Sequence, residues 1–304
     1  MLVRVRRPDP PAAIPVVDPA AEDDLTDDAL TRDFRIWQRR RGHRYSIDDV
    51  ATAWEALEAC PRAGRAIDLG CGIGSVLLML AWGLPRARLV GVEALELSAA
   101  LAARNVRSNR VEERVRVVPG DLRDPALRRT LLEDAGPFDL VTGTPPYFPP
   151  GSATPSPDPQ RAHARVELRG GVEAYLEAAA HLLGAGGVVA LCAAARADQR
   201  VEAAALRNRL RPRSLRPVLP RAGPGRVPLF TVWTFTRDGP GLDAGSAAAG
   251  SAAAGSVPDE LAPRPLLRHP PLVARDEAGR RTEAERALRG YFGLASRREE
   301  PPSP

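Results

Sequence analysis

Residues 66–75 read Ala66-Ile67-Asp68-Leu69-Gly70-Cys71-Gly72-Ile73-Gly74-Ser75. Ala66 to Leu69 has the apolar character of a short buried strand. The strand stops at three glycines spaced two apart, and Ser75 to Trp82 then opens an apolar helix. A strand, a glycine turn and a helix at the carboxyl edge of a parallel sheet make a nucleotide pocket. Glycine suits the turn because it adopts unusual dihedrals and lets a ligand reach bare backbone. The helix start behind it offers unpaired N–H groups.

Two details separate this loop from a dinucleotide fingerprint. The spacing is G-x-G-x-G, not G-x-G-x-x-G. Asp68 also precedes the first glycine, where a carboxylate disfavours a pyrophosphate and tolerates a cationic ligand. The loop resembles the first motif of class I S-adenosylmethionine (SAM) methyltransferases, whose ligand carries a sulfonium and an ammonium group. That resemblance implies a Rossmann-like α/β fold with a mostly parallel seven-strand sheet flanked by helices. SAM is then the expected cofactor, with Asp68, Gly70, Gly72 and Gly74 at its site.

Three further strands extend the pattern. Arg88 to Glu93 ends in an acid 19 residues after Gly74, where a carboxylate meets a ribose diol. Arg116 to Asp121 again ends in an acid, which the resemblance puts near the adenine amino group. Phe138 to Gly143 leads into Thr144-Pro145-Pro146-Tyr147. The acids Glu93 and Asp121 join the glycines as expected cofactor residues.

The run Gly42-His43-Arg44-Tyr45-Ser46-Ile47-Asp48-Asp49-Val50 narrows the resemblance. It is similar to the segment before the glycine loop in bacterial tRNA adenine-N6 methyltransferases of the small-domain group, which act on a valine tRNA. By that resemblance Arg44, Tyr45, Ser46 and Asp48 border the SAM pocket, with Tyr45 and Ser46 as cofactor residues. Ser46 or Asp48 equally suits a cap for the following helix, and both roles stay open.

In this group an Asn or Asp, two prolines and an aromatic hold the acceptor amine. Thr144 stands here at the Asn/Asp position. Its hydroxyl accepts a hydrogen bond over a shorter reach. Thr144, Pro145 and Tyr147 are the expected acceptor residues. The first two accept the amine protons, and Tyr147 stacks on the base for about 1–3 kcal/mol.

Composition agrees with a cytoplasmic enzyme. The 304 residues are 44% hydrophobic, enough for a packed core. All 43 basic residues are arginine, whose planar guanidinium suits phosphate. The net charge of +5 permits a nucleic-acid partner. Cys60, Cys71 and Cys192 are dispersed, which favours a reducing compartment over a disulfide framework. No apolar run is long enough to span a bilayer, so no membrane partner is expected. No metal site is expected, and the chain is expected to be a monomer.

Along the chain, 1–24 reads as disordered and 25–238 as the methyltransferase domain, with a helix starting at Leu25 and Thr26 as its cap. Residues 148–165 read as a Pro-rich loop leaving the active site, suited to a substrate lid. The repeats in 239–257 read as a linker. Residues 258–304 read as an appendage that packs on the core, ending in disorder. Two arginine groups are expected to hold phosphates: Arg39, Arg40 and Arg41 with their neighbours, and Arg207 to Arg226. The reaction implied is methylation of an exocyclic adenine nitrogen in RNA, with tRNA as partner. The alternatives are a protein glutamine or small-molecule methyltransferase, and a non-catalytic SAM- or RNA-binding module.

Overall fold

The computed structural model describes residues 24–237 and 265–294. In chain order the first elements are β1 (Leu25–Ala29), β2 (Arg35–Arg39), α1 (Ile47–Ala59), β3 (Arg65–Leu69), α2 (Ser75–Gly83) and β4 (Arg88–Glu93). There follow α3 (Glu96–Ser108), β5 (Val115–Pro119), α4 (Pro125–Ala135), β6 (Phe138–Gly143), α5 (Pro159–Arg165) and α6 (Val172–Leu182). The last are β7 (Leu183–Ala194), α7 (Asp198–Arg207), β8 (Leu210–Leu219), β9 (Phe230–Arg237), β10 (Leu267–Arg268), β11 (Leu272–Val273) and α8 (Glu283–Tyr291). The stretch read as a linker, 239–257, lies outside the described residues.

The main sheet runs β10-β8-β9-β7-β6-β3-β4-β5, with β11 also paired to β8. Seven of these strands, β8 through β5, form the expected sheet, and two-residue β10 and β11 extend its edge. Only β9 opposes its neighbours. Side chains alternate across the sheet, as strand geometry requires. Ala66, Leu140 and Ala190 face α1, α2 and α3, while Ile67, Val141 and Val189 face α4, α6 and α7. The strand order reverses beside β3, where α/β sheets open a crevice at their carboxyl ends.

Three local readings change. Leu25 to Ala29 is a strand, not a helix start. It pairs antiparallel with β2, Asp27 opposite Trp37. The Thr26 hydroxyl bonds the Asp28 side chain at 2.6 Å and caps no helix. Docking decides this, because α3 satisfies the other edge of β2. Asn105 bonds the N–H and C=O of Trp37 at 2.7 and 3.0 Å, and Asn109 does the same for Arg35 at 2.8 and 2.8 Å.

The lid region is not all loop. Helix α5 begins on Asp158, whose carboxylate accepts from the Arg161 N–H at 2.9 Å. Pro159 at its first position loses no helical hydrogen bond. The Pro-interleaved arginine stretch is strand β8. Prolines survive there because its outer side carries only the short β10 and β11.

Helix α8 rests on α1 and β11. Thr282 caps it by accepting from the Glu285 N–H at 3.1 Å. Phe292 is fully buried and lies 6.0 Å from the Trp82 ring. Its carbonyl accepts from the Arg32 N–H at 2.8 Å, which ties the chain's last described turn to the first hairpin.

Candidate active site

The glycine loop joins the end of β3 to the start of α2. Gly70, Gly72 and Gly74 take φ values of 60°, 56° and 87°, the left-handed region that side chains resist. Their reasons differ. A Cβ on Gly70 would lie 2.1 Å from the Tyr175 hydroxyl, whereas one on Gly72 would stand in open space. Gly72 is therefore the bare backbone that faces a ligand. Two bonds tether the loop from behind: the Cys71 N–H to Val92 O at 2.9 Å, and Asn105 Nδ2 to Ile73 O at 2.9 Å. Burial pushes the Cys71 thiol well up, so it is a small packed residue and not a nucleophile.

The acids at the strand ends have separate environments. Glu93, at the end of β4, accepts from the Gly72 N–H at 2.9 Å and the Leu95 N–H at 2.7 Å. Burial raises its pKa, and those N–H groups oppose the rise. Asp121, just past β5, is held below the usual carboxylate range first by its hydrogen bond from Arg123, at 2.7 Å. Asp68 lies inside β3, fully buried, accepting from the Thr142 hydroxyl at 2.7 Å. Burial lifts it to about 7.

These elements enclose a cleft of about 860 Å³ at the carboxyl ends of β3 to β6. Gly70, Gly72, Glu93, Asp121 and Thr144 line it as expected. His43, Asp49, Ser98, Gln160, His163 and Tyr175 also line it and were not singled out from sequence as site residues. Gln160 is 2% exposed and joins three segments, accepting from the His43 N–H at 3.0 Å and donating to Ser98 Oγ at 3.2 Å. Asp49 accepts from the Ser46 N–H at 2.8 Å. Burial, then the charge of Asp48, lifts Asp49 to about 8. His43 is pushed below its ordinary value by burial and by Arg165 and Arg161, against the opposing pull of Asp48.

Several expected site residues stand elsewhere. Asp68 is a buried brace between β3 and β6 and does not line the cleft. Gly74 is the cap residue of α2, and Pro145 is buried beneath the turn. Tyr45 points away, its hydroxyl donating to Ala29 O at 2.8 Å. Ser46 caps α1, so of its two open roles the structure supports the cap. Tyr147 packs beside Phe230, centroids 6.2 Å apart, instead of lining the cleft. Arg39 is not free for phosphate, because Asp24 at 3.1 Å and Asp158 at 2.9 Å already hold it. Arg40 and Arg41 are exposed on the turn that follows.

The cleft suits SAM by its chemistry. Half-buried Glu93 retains lone pairs for two ribose hydroxyls at the end of β4. Asp121 adds a carboxylate that favours a cationic ligand, and Gly72 leaves open space above its backbone.

Comparison with known proteins agrees. The family described as Methyltransferase small domain matches residues 47–154. A tRNA1(Val) (adenine(37)-N6)-methyltransferase of Porphyromonas gingivalis is 32% identical over 168 residues, 55% of this chain and 64% of that protein. The chain thus spans under two thirds of that curated relative. A 4-amino-L-phenylalanine/4-methylamino-L-phenylalanine methyltransferase of Streptomyces pristinaespiralis is 36% identical, covering 44% of this chain and 47% of its own. A release factor glutamine methyltransferase of Geobacter sulfurreducens is 36% identical over 38% of each chain. A crystal structure from Agrobacterium tumefaciens, titled a predicted O-methyltransferase, superposes with a TM-score of 0.55 at 21% identity, covering 82% of this chain and 98% of that one, and shows the shared fold. With that family matched over the very strands and glycine loop that build the cleft, the protein is a SAM-dependent methyltransferase whose residues 47–154 match the small-domain family.

Proposed function

We propose that this protein methylates the exocyclic amino nitrogen of an adenine in RNA, with tRNA as substrate. One observation carries the reading: Thr144 and Pro146, in the turn that leaves β6, line the same cleft as Gly70 and Gly72, so an acceptor there would meet the cofactor in one space. The tRNA-modifying relative supports the choice of acceptor.

An adenine amine is a poor nucleophile because its lone pair is delocalised into the ring. Thr144 Oγ1 and the Pro145 carbonyl accept its two protons and favour a pyramidal nitrogen. SAM, when bound, supplies a methyl group on a sulfonium. Glu93 would hold the cofactor's ribose diol, Asp121 would meet its adenine, and Gly72 would give close backbone approach. The methylated nitrogen releases its extra proton to solvent. Most of the rate advantage comes from alignment of the two reactants.

Thr144 in place of Asn or Asp supports a second reading, methyl transfer to a protein glutamine or a small aromatic amine. Labelled SAM offered to total RNA, total protein and small aromatic amines separates them. Label in tRNA that digests to N6-methyladenosine supports the proposal. Label confined to protein or to an arylamine overturns it.

A further inference from the structure

Phe148 follows the acceptor turn and bridges to the end of α5. Its N–H donates to Arg165 O at 3.0 Å, and its carbonyl accepts from the Glu167 N–H at 2.9 Å. Pro146, two residues before it, and Ala164, next to Arg165, both line the cleft. Two guanidinium groups lie over that ring, Arg196 at 4.7 Å and Arg165 at 5.9 Å from its centroid. Both arginines are exposed.

Several other arginines near the cleft are committed to acids. Arg39 holds Asp24 and Asp158, Arg123 holds Asp121, and Arg200 holds Glu167 and Glu173. Arg165 and Arg196 have no carboxylate partner among the described residues. Arg196 donates one N–H to Tyr147 O, and Arg165 is bound to the site only through the Phe148 ring and its own backbone. An aromatic ring orients a guanidinium without neutralising it. The ring contact restricts the guanidinium before a ligand arrives, which lowers the ordering cost of binding.

We propose that Arg165 and Arg196, set on Phe148, form a seat for the backbone phosphates that flank the target nucleotide. The ligand class is a phosphodiester strand, and the proposal rests on the RNA reading above. Planar, unneutralised guanidiniums match phosphate oxygens in pairs. Their place beside the acceptor turn puts that charge next to the reacting base, whereas Arg39 to Arg41 lie on the hairpin.

The test uses the full chain, with a fluorescent single-stranded RNA oligonucleotide titrated over a salt series. SAM affinity is measured in parallel by calorimetry. Arg165→Gln and Arg196→Gln should each weaken RNA binding about fivefold to tenfold and lower the salt slope by about 0.7. The double variant should lose about twice that slope, with SAM affinity unchanged. Phe148→Leu should weaken binding while keeping the wild-type slope, because the charges remain. A wild type that binds RNA and a double variant with the same slope would overturn the seat and leave the RNA reading standing. A wild type that binds SAM but no RNA would overturn both.

Discussion

The Tyr147 hydroxyl donates to the Asp48 carboxylate at 3.1 Å, across 99 residues of chain. The same oxygen lies 3.3 Å from Cys192 Sγ on β7. This bond turns the ring from the cleft into the layer under α1, although its neighbours Thr144 and Pro146 face the cleft. Burial raises the phenol well above its ordinary pKa, so it stays a donor at any working pH. Tyr147→Phe should cost about 1 kcal/mol in urea unfolding, the worth of one hydrogen bond. Methyl transfer should survive, since the hydroxyl points away from the cleft. A loss of transfer beyond tenfold with SAM still bound would mean that the hydroxyl itself serves the acceptor.

Glu93 is the acid most firmly seated for the cofactor. Glu93→Gln keeps one acceptor but turns an N–H donor toward either Gly72 N or Leu95 N. A charged hydrogen-bond set is worth about 1.5–3 kcal/mol, so SAM affinity should fall at least tenfold. Calorimetry beside a melting curve checks this. Unchanged affinity in a folded variant would remove Glu93 from the site.

Thr144→Asn restores the longer amide at the acceptor position. On an amine acceptor, turnover should rise by about tenfold, the equivalent of one added hydrogen bond of about 1.4 kcal/mol in the transition state. Steady-state rates on whichever acceptor takes label provide the measurement. A fall in rate would show that the pocket is built around the shorter side chain.

Asp49 links stability to pH. Its folded pKa of about 8 lies above the ordinary 3.8, so the folded chain keeps a proton there that the unfolded chain releases. Between those values stability therefore falls as pH rises. Asp49→Asn removes this contribution. Its melting temperature relative to wild type should climb from about pH 5 to about pH 8. Parallel curves for the two proteins across that window would refute the burial argument.

Gly70→Ala tests the loop. The added methyl meets the Tyr175 hydroxyl at 2.1 Å and sits at φ 60°. The left-handed backbone alone costs about 1–2 kcal/mol, and the clash adds to it. Gly70→Ala with Tyr175→Phe should recover part of the loss in denaturant unfolding. No recovery would place the whole cost in the backbone.

Much of this architecture was legible in local pattern. The apolar runs of β3, β4, β5 and β6, the acids that end β4 and follow β5, and the glycines after β3 are each set by residues adjacent in sequence. A buried parallel strand needs such a run, and a turn at positive φ needs glycine. The mostly parallel seven-strand sheet followed from the resemblance those elements carry.

Other features depended on partners far along the chain. Leu25 to Ala29 is a strand because it pairs with β2, and Asn105 and Asn109 of α3 complete that pair. Arg39 is neutralised by Asp158, which is 119 residues away. Asp49, Gln160 and His163 join the cleft because α1 and α5 converge there. Tyr147 turns inward because Asp48 accepts its hydroxyl. By itself, the sequence determined β3 to β6, the glycine loop and the acids at the strand ends, since short-range sterics and burial dictate them. The tertiary structure alone decided which charges stay free and where each acceptor side chain points, because those depend on long-range pairing that no local spacing encodes.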